Sequence, residues 1–257
     1  MKIGVATNKY AFNDELWAKY RKNGIEAIEL DLLHADDVQK CDIKKVKEFA
    51  DKHDVELWSV HLPFYPFEVI DLSSTDEALR IKTVEFLKKA VEKVAQANVG
   101  KVVVHPSAEP IEKERIERMA ACKKSLSELA EFAKDKNVMI AVENLPRTCL
   151  GKNSDEISEL INVHDNLKVC FDTNHLLGED SEKFIECVGK DIITLHVSDY
   201  DFVDECHWLP GKGKIDWEKL IGDLKKSGYN GMWIYEVPFE MEDLQQFSDN
   251  AKKLPLY

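Results

Sequence analysis

The sequence predicts a single (β/α)8 TIM barrel over residues 1–257, and three observations favour this fold class. Eight short apolar or β-branched segments alternate with eight segments of helical periodicity, which is the element pattern of such a barrel. The length of 257 residues is close to the roughly 250 residues that this fold usually needs. The composition shows no linker and no low-complexity tract. We therefore expect one domain, with its active site at the C-terminal ends of the strands.

The predicted strands are short runs of apolar and β-branched residues, a composition typical of buried parallel strands. Several of these runs stop at an ionisable residue, which a buried strand does not by itself require. In chain order the predicted strands are Ile3–Thr7, Ala27–Leu32, Glu56–His61, Lys101–His105, Val138–Glu143, Lys168–Asp172, Ile192–Val197 and Met232–Glu236.

The segments between the strands carry apolar residues at intervals of three and four, which predicts amphipathic helices packed on the outside of the barrel. In Asp76–Ala97 this spacing is regular and includes Phe86, Ala90 and Val94. The predicted helices are Asp14–Asn23, Asp42–His53, Asp76–Ala97, Glu112–Lys136, Ser154–Val163, Glu182–Val188, Asp216–Ser227 and Glu242–Lys253.

A doubly wound sheet shows the same alternation of strands and helices and is the structural alternative. In the dinucleotide-binding form of that fold, the first strand leads into a G-x-G-x-x-G motif, whose glycines let the backbone approach a pyrophosphate. Here the first strand leads into residues 8–13, Asn-Lys-Tyr-Ala-Phe-Asn, which contain no glycine. The barrel is therefore the better interpretation of the alternating pattern.

The net charge of the chain indicates which classes of binding partner are unfavourable. The chain has 35 basic and 48 acidic residues and a formal net charge of −13. So acidic a surface repels phosphate backbones and anionic membranes, which argues against nucleic acid or a membrane as the partner and favours a small molecule.

The N-terminus and the cysteines predict a cytoplasmic location. Residues 1–7 have the composition of a strand rather than of a signal peptide, and no apolar stretch approaches the length of a membrane span. The six cysteines show no C-x-x-C spacing, so we expect reduced thiols.

Four predicted strands in the second half of the chain end in ionisable residues. These are Glu143, Asp172, His196 and Glu236. A charge at the end of a buried strand costs folding energy unless it is neutralised. Because the C-terminal ends of parallel barrel strands meet at one face, we expect these side chains to converge. Two Glu, one Asp and one His suit a divalent cation that accepts oxygen and imidazole ligands.

Further ionisable residues lie at other strand ends or just beyond them, namely His61, His105, Arg147, His175, Glu205 and His207. Each candidate alone has a local explanation: Glu143 could pair with Arg147, for example, and Asp172 could cap a helix. Together they would place several uncompensated charges in one barrel mouth. A bound cation relieves that repulsion better than separate local pairings do.

Two loops after strands are distinctive. Residues 61–67 are rich in aromatic residues and proline, and residues 200–214 form a long polar segment that contains Trp208. Such loops surround the active-site face of a barrel. Trp208 could therefore stack on a sugar ring or simply cover the barrel mouth.

Several motifs together resemble the xylose isomerase-like barrel superfamily, which includes sugar isomerases, sugar phosphate isomerase/epimerase relatives, ketose 3-epimerases, inosose dehydratases and apurinic endonucleases. The resemblance rests mainly on residues 140–237. The motifs are Val142-Glu143-Asn144, Phe171-Asp172-Thr173-Asn174-His175, Leu195-His196-Val197-Ser198-Asp199, the stretch from His207 to Trp217 with Pro210-Gly211-Lys212-Gly213-Lys214-Ile215-Asp216, and Tyr235-Glu236.

The resemblance implies a metal-dependent sugar isomerase or epimerase. In epimerase-like members, the residues that match Glu143, Asp172, His196 and Glu236 hold one divalent ion, usually Mn²⁺, Co²⁺ or Mg²⁺. The two glutamates also move a proton at a carbon next to a carbonyl, through a metal-stabilised enediolate. Loss of a β-hydroxyl from the same intermediate would give the dehydration that inosose dehydratase-like lyases catalyse.

The remaining residues of the predicted site would bind the substrate, a small sugar or polyol ketone that we expect to be unphosphorylated. The substrate-binding candidates are His61, His105, Arg147, His175, His207 and Trp208. Two positions depart from the ketose epimerases, because His207 stands where they have an arginine and Cys149 where they tend to have a glutamate. These departures bear on the identity of the sugar. Barrels of this type often form homo-oligomers.

The apurinic endonucleases give an alternative, because they hold three zinc ions with additional ligands. The candidates for additional metal ligands in this chain are His61, His105, His175, Glu205 and His207. The net charge of −13 argues against an enzyme that binds duplex DNA. A third alternative is a non-catalytic carbohydrate-binding barrel, although such a protein has no need for two proton-transfer glutamates.

Overall fold

A computed structural model of the protein describes residues 1–109, 111 and 113–256. Its eight parallel strands form one sheet in the order β7-β6-β5-β4-β3-β2-β1-β8. The strands are β1 (Ile3–Thr7), β2 (Ala27–Asp31), β3 (Glu56–His61), β4 (Lys101–Val104), β5 (Met139–Glu143), β6 (Leu167–Asp172), β7 (Ile192–His196) and β8 (Trp233–Tyr235). A bridge between Val197 and Tyr235 joins the two edge strands. The predicted (β/α)8 barrel is therefore confirmed.

Eight of the nine described α-helices lie in the segments where helical periodicity predicts them. They are α1 (Asp14–Lys22), α2 (Asp37–Lys40), α3 (Ile43–Lys52), α4 (Glu77–Gln96), α5 (Arg115–Lys134), α6 (Ser154–Ile161), α7 (Ser181–Val188), α8 (Trp217–Ser227) and α9 (Gln245–Ala251), with a 3-10 turn at Gly189–Asp191. The single-turn helix α2 was not predicted. Glu112 and Tyr257, where the sequence places the start of one helix and the end of the domain, lie outside the described residues. In the described ranges, no helix is both long and apolar enough to cross a membrane.

Several helix starts differ from the prediction by one residue because the first predicted residue is an N-cap. The side chain of Asp42 accepts a hydrogen bond from the backbone N–H of Lys45, that of Asp76 from Ala78, and that of Asp216 from Lys219. An N-cap residue has a non-helical backbone while its side chain satisfies a free N–H of the first turn. The helix proper therefore begins one residue later.

A β-bulge in β3 shapes the barrel interior. Ile28 of β2 pairs with Leu57 and Glu29 pairs with Ser59, so that Trp58 has no partner between them. The Trp58 indole donates to Thr194 Oγ1 at 3.0 Å, and the Lys101 ammonium lies 3.0 Å from the centre of its ring. The bulge sets Ser59 opposite Glu29.

The loop between β7 and α8 wraps around the buried carboxylate of Asp199. Its Oδ2 accepts hydrogen bonds from Gly211 N at 2.7 Å and from the Trp217 indole at 2.9 Å. Gly213 passes so close that a Cβ atom there would lie 2.2 Å from the carbonyl oxygen of Tyr200 and 2.3 Å from Asp199 Oδ1. The Pro-Gly-x-Gly stretch is thus a tight turn that fixes the loop carrying Glu205.

We predict that Gly213→Ala lowers the free energy of unfolding by about 1–3 kcal/mol, because backbone atoms would have to move to admit the methyl group. Gly222→Ala is the matched control. A Cβ atom at Gly222, inside α8, meets no atom within 4 Å, so this change should stabilise the protein by about 0.5–1 kcal/mol. Urea denaturation of both variants measures the difference. Equal midpoints would contradict the close approach at Gly213.

Candidate functional site

Glu143, the last residue of β5, lies at the centre of the barrel mouth and is 1% exposed. Its Oε2 lies 3.1 Å from His61 Nε2 and 3.3 Å from His105 Nε2. Its Oε1 lies 3.1 Å from His196 Nδ1 and 3.4 Å from His175 Nδ1. The two oxygens of one carboxylate therefore face two different sets of imidazoles.

The structure brings together the four strand-end residues predicted as metal ligands. Ligand atoms of Glu143, Asp172, His196 and Glu236 all lie within 4.8 Å of one another. His196 Nδ1 is 3.4 Å from Glu236 Oε2 and 3.9 Å from Asp172 Oδ2. These side chains converge because parallel strands present their C-terminal ends to the same face. Three carboxylates around one imidazole nitrogen form a set of hard oxygen donors with one nitrogen donor.

Two buried oxygens in this set are left without a hydrogen bond. Asp172 Oδ2 and Glu236 Oε2 find no donor among the residues that the structure describes. Burial and the facing Glu236 carboxylate raise the pKa of Asp172, so either a proton between the two carboxyl groups or a cation would satisfy these oxygens. A buried polar atom without a partner costs roughly 1–3 kcal/mol, and more when it is charged. A divalent cation coordinated by both oxygens would remove this cost. The donor set therefore fits a divalent metal ion.

Three imidazoles are each held by one ring nitrogen. His61 Nδ1 lies 2.9 Å from the Leu62 carbonyl, and His175 Nδ1 lies 2.9 Å from the Asn144 carbonyl. His196 Nε2 lies 2.5 Å from Glu29 Oε1. Carbonyl and carboxylate oxygens only accept hydrogen bonds, so the ring nitrogen facing each of them carries the proton.

The other nitrogen of each ring faces a carboxylate. For His61 and His196 this carboxylate is Glu143, and for His175 it is Glu205, whose Oε1 is 3.3 Å from Nε2. A neutral imidazole directs a lone pair from this nitrogen, and a lone pair repels a carboxylate oxygen. Either a second proton or a shared cation must therefore lie between them.

The neighbouring carboxylates favour a second proton on two of these imidazoles. Burial opposes protonation of His61, but the Glu143 carboxylate raises its pKa to about 9. Burial likewise opposes protonation of His175, and Asp172 and Glu205 raise its pKa to about 10. A cation bound by Glu143 and Asp172 would weaken the attraction that holds these protons, and would displace a proton outright from any imidazole that served as a ligand.

Three further groups of ligand atoms adjoin the central four. One adds the buried thiol of Cys170 to Glu143 and His196, and the other two flank the centre. One flanking group contains His61, His105 and Glu143, and the other contains His175, Glu205 and His207. The residues predicted as candidates for additional metal ions thus lie in two compact groups. Glu143 belongs both to the first flanking group and to the central four.

A pocket of about 230 Å³ opens onto these groups. Phe64 lies over His105, with ring centres 4.0 Å apart and an angle of 12° between the planes, so one wall is apolar and aromatic. Trp208 is 40% exposed and is not among the described residues that line the pocket. Its backbone instead pairs with that of Asp199.

Arg147 lines the pocket but is already engaged by acidic side chains. Its guanidinium pairs with Glu109 and lies 2.8 Å from both Asp204 Oδ1 and Glu205 Oε2. These residues follow three different strands, so the ion pairs tie together three loops around the pocket. Among the described residues that line the pocket, Arg147 is the sole arginine, and these ion pairs neutralise it.

Residues 17–254 match the family of xylose isomerase-like TIM barrels. The chain belongs to this family. Among its relatives, the uncharacterized protein MJ1311 of Methanocaldococcus jannaschii is 31% identical over 203 residues, which cover 74% of this chain and 67% of that protein. Probable endonuclease 4 of Acholeplasma laidlawii is 30% identical over 156 residues, which cover 54% of this chain and 51% of that protein. The crystal structure of a D-tagatose 3-epimerase-like protein superposes with a TM-score of 0.83 at 26% identity, over 98% of this chain and 96% of that one.

The resemblance inferred from the sequence motifs is therefore confirmed at the level of the family. Within this xylose isomerase-like barrel, the relatives connect the chain to sugar-epimerase-like proteins over almost its whole length and to an endonuclease over about half of it. The family thus favours an enzyme of the sugar epimerase and isomerase kind.

Sequence reasoning missed Glu29, which lies inside β2 and is fully buried. Its carboxylate lies 2.5 Å from His196 Nε2 and 2.5 Å from Ser59 Oγ. The available signal was an acidic residue in the middle of a predicted strand, where a charge is costly unless it is paired. Glu29 is not at the end of its strand, and the predicted site was built only from residues at strand ends or just beyond them.

We predict that Asp172→Asn and His196→Ala lower metal affinity by more than the roughly 10- to 100-fold that changes in the surrounding shell produce. Each removes a donor from the central group of four. His164→Ala is the matched control, because its ring pairs with Glu131 away from the barrel mouth. Metal content after dialysis against a chelator gives the measurement. Equal metal retention in all three variants would exclude Asp172 and His196 as ligands.

Proposed function

We propose that the protein is a divalent-metal-dependent sugar isomerase or epimerase that moves a proton at a carbon next to a carbonyl. The observation that carries the proposal is the position of Glu143 and Glu236. Both line the same small pocket, and both belong to the four-residue group that fits a metal ion. With two carboxylates beside one bound carbonyl compound, one can remove the proton and the other can return it.

Glu143, Asp172, His196 and Glu236 would hold the ion, for which Mn²⁺, Co²⁺ or Mg²⁺ suit the oxygen-rich donor set. When bound, the ion supplies Lewis-acid stabilisation of the negative charge that develops on the substrate oxygens as the carbon–hydrogen bond breaks.

One glutamate removes the proton and the same or the facing glutamate returns it. The oxygens of Glu143 and Glu236 lie 3.1 and 3.4 Å from the same nitrogen, His196 Nδ1, so both act on a substrate held at one place. Return to the same carbon from the opposite face gives epimerisation, and return to the neighbouring carbon gives isomerisation. Departure of a β-hydroxyl would give dehydration, so an inosose dehydratase-like lyase uses the same first step.

The pocket suits a small, uncharged sugar or polyol ketone. Its volume of about 230 Å³ is below the roughly 300–1,000 Å³ of pockets for larger ligands. Phe64 provides an apolar surface for the C–H face of a sugar, while His61, His105 and His207 provide groups for hydroxyl oxygens. His175 and Arg147 would contact the substrate from the side where Glu205 lies, and Trp208 would act only from the rim. The cytoplasmic location and a homo-oligomer stay predictions.

We predict that Glu143→Gln and Glu236→Gln each keep the fold but abolish exchange of the substrate α-proton with solvent, because an amide cannot take up the proton. A screen of ketoses and inososes in deuterated water, with metal-loaded protein and proton NMR detection, measures the exchange. Glu182→Gln is the matched control, since Glu182 pairs with Lys219 on the surface. Undiminished deuterium incorporation in either site variant would contradict the two-glutamate mechanism.

A second candidate is a trinuclear zinc phosphodiesterase of the apurinic endonuclease type. The specific observation in its favour is that Glu143 is shared between the central four and the group with His61 and His105, while His175, Glu205 and His207 form a separate group. Electrostatics disfavour it. The net charge is −13, and the arginine at the pocket is paired with three carboxylates, so little positive charge is available for a DNA backbone.

Metal stoichiometry and a cleavage assay separate the two candidates. For an isomerase or epimerase, we expect one tightly held ion per chain after dialysis and no cleavage of duplex DNA that contains an abasic site. The relevant measurements are elemental analysis of the purified protein and gel analysis of the labelled duplex. Three retained zinc ions together with cleavage, lost in His105→Ala, would instead establish the phosphodiesterase.

A further inference from the structure

Glu29 is a buried carboxylate that the proposed proton-transfer chemistry does not use. It is 0% exposed and lies on β2, within the barrel. One oxygen, Oε1, is 2.5 Å from His196 Nε2, and the other, Oε2, is 2.5 Å from Ser59 Oγ. A buried carboxylate with hydrogen bonds to both oxygens is compensated and held in one orientation.

The bulge in β3 makes this arrangement. Because Trp58 has no partner, Ser59 rather than Trp58 stands opposite Glu29 in the strand pairing. The Ser59 hydroxyl can then donate to Oε2 and leave Oε1 for His196. The irregular strand pairing thus orients one specific carboxylate oxygen toward one specific imidazole nitrogen.

His196 has two chemically different sides. Nε2 faces Glu29, and Nδ1 faces the carboxylates of Glu143, Asp172 and Glu236. The buried thiol of Cys170 also lies within 4.8 Å of a ring nitrogen, but the Glu29 carboxylate at 2.5 Å is the stronger acceptor. The ring also stacks on that of His61, with centres 5.7 Å apart and planes at 22°. Stacking fixes the plane of the ring but cannot select which nitrogen carries the proton. The neighbouring hydrogen-bond acceptor makes that selection.

We propose that Glu29 is a positioning residue for the metal centre: it holds the proton of His196 on Nε2 and thereby reserves Nδ1 as the metal ligand. Ser59 supports it by holding the carboxylate in place. A carboxylate that accepts a hydrogen bond from Nε2 also makes Nδ1 more basic, and Nδ1 therefore binds a metal ion more strongly. This inference rests on the proposed metal centre and adds to it a residue that touches neither metal nor substrate.

The test compares Mn²⁺ affinity in variants of Glu29, measured by competition with a chromophoric chelator. Glu29→Leu removes the acceptor and should weaken binding by about 10- to 100-fold. Glu29→Gln keeps an acceptor oxygen without the charge and should lose less. Ser59→Ala should cause a smaller loss in the same direction. Affinities of Glu29→Leu and Glu29→Gln that match the unaltered protein within about twofold would overturn the proposal.

Two controls separate this inference from the metal centre itself. Ser125→Ala alters another fully buried serine, one that lies on α5 and bonds to Ala121 and Arg80 rather than to Glu29 or a predicted ligand, and should leave Mn²⁺ affinity unchanged. Asp172→Asn should weaken binding. If Asp172→Asn has no effect, the metal centre is wrong. If it weakens binding and the Glu29 variants do not, only the role of Glu29 is wrong.

A spectroscopic measurement decides the matter even if Glu29→Leu does not fold. In the Zn²⁺-loaded protein labelled with ¹⁵N-histidine, Nδ1 of His196 should be the metal-bound nitrogen, and Nε2 should carry a strongly deshielded proton. Glu29→Gln and Ser59→Ala should each shift that proton resonance upfield. A proton on Nδ1, or an unshifted Nε2 proton in both variants, would overturn the assignment.

Discussion

The need to neutralise Glu143 governs the architecture of this barrel mouth. Its carboxylate is almost fully buried and lies within 3.4 Å of four imidazoles. The histidines lower the pKa of Glu143 well below its usual range, against the opposing effect of burial. A negative charge is therefore fixed at the centre of the face where barrel enzymes act. The surrounding residues share protons around it, and a cation could take the place of those protons.

The bulge in β3 and the turn around Asp199 hold this charged cluster in place. The bulge in β3 aligns Ser59 with Glu29, and Glu29 in turn fixes the ring of His196. The turn around Asp199 anchors the loop that presents Glu205 and His207. Most of the hydrogen-bond donors involved are backbone groups or buried side chains, so little freedom remains for the ligand atoms to move. Such preorganisation reduces the cost of assembling a metal site.

The ligand groups are compatible with both of the functions considered above. On those proposals, the central four residues would support proton transfer at a sugar carbon, whereas the central and flanking groups together would hold a zinc cluster. The surroundings distinguish these options better than the ligands do. An acidic protein with a small aromatic pocket attracts a neutral polyol more readily than a polyanion. The engagement of Arg147 by acidic partners on two other loops strengthens that preference.

The sequence by itself determined the class of fold and most members of the candidate site. Strand composition and helical periodicity are local properties of the chain, so eight alternating pairs could be recognised without knowledge of the packing. Strand ends are local as well, and parallel barrel strands carry their ends to one face, which is why Glu143, Asp172, His196 and Glu236 could be grouped in advance.

Only the tertiary structure decided how these residues are connected. The partner of His196 on its far side is Glu29, which is 167 positions away in sequence. The oxygens of Glu143 are divided between two ligand groups by side-chain orientation rather than by spacing. These contacts depend on a β-bulge and on side-chain rotamers. Neither of these produces a periodic pattern in the amino-acid sequence. Hydrogen bonds between distant strands form only when the barrel closes, and for that reason their pattern could not be predicted from the sequence.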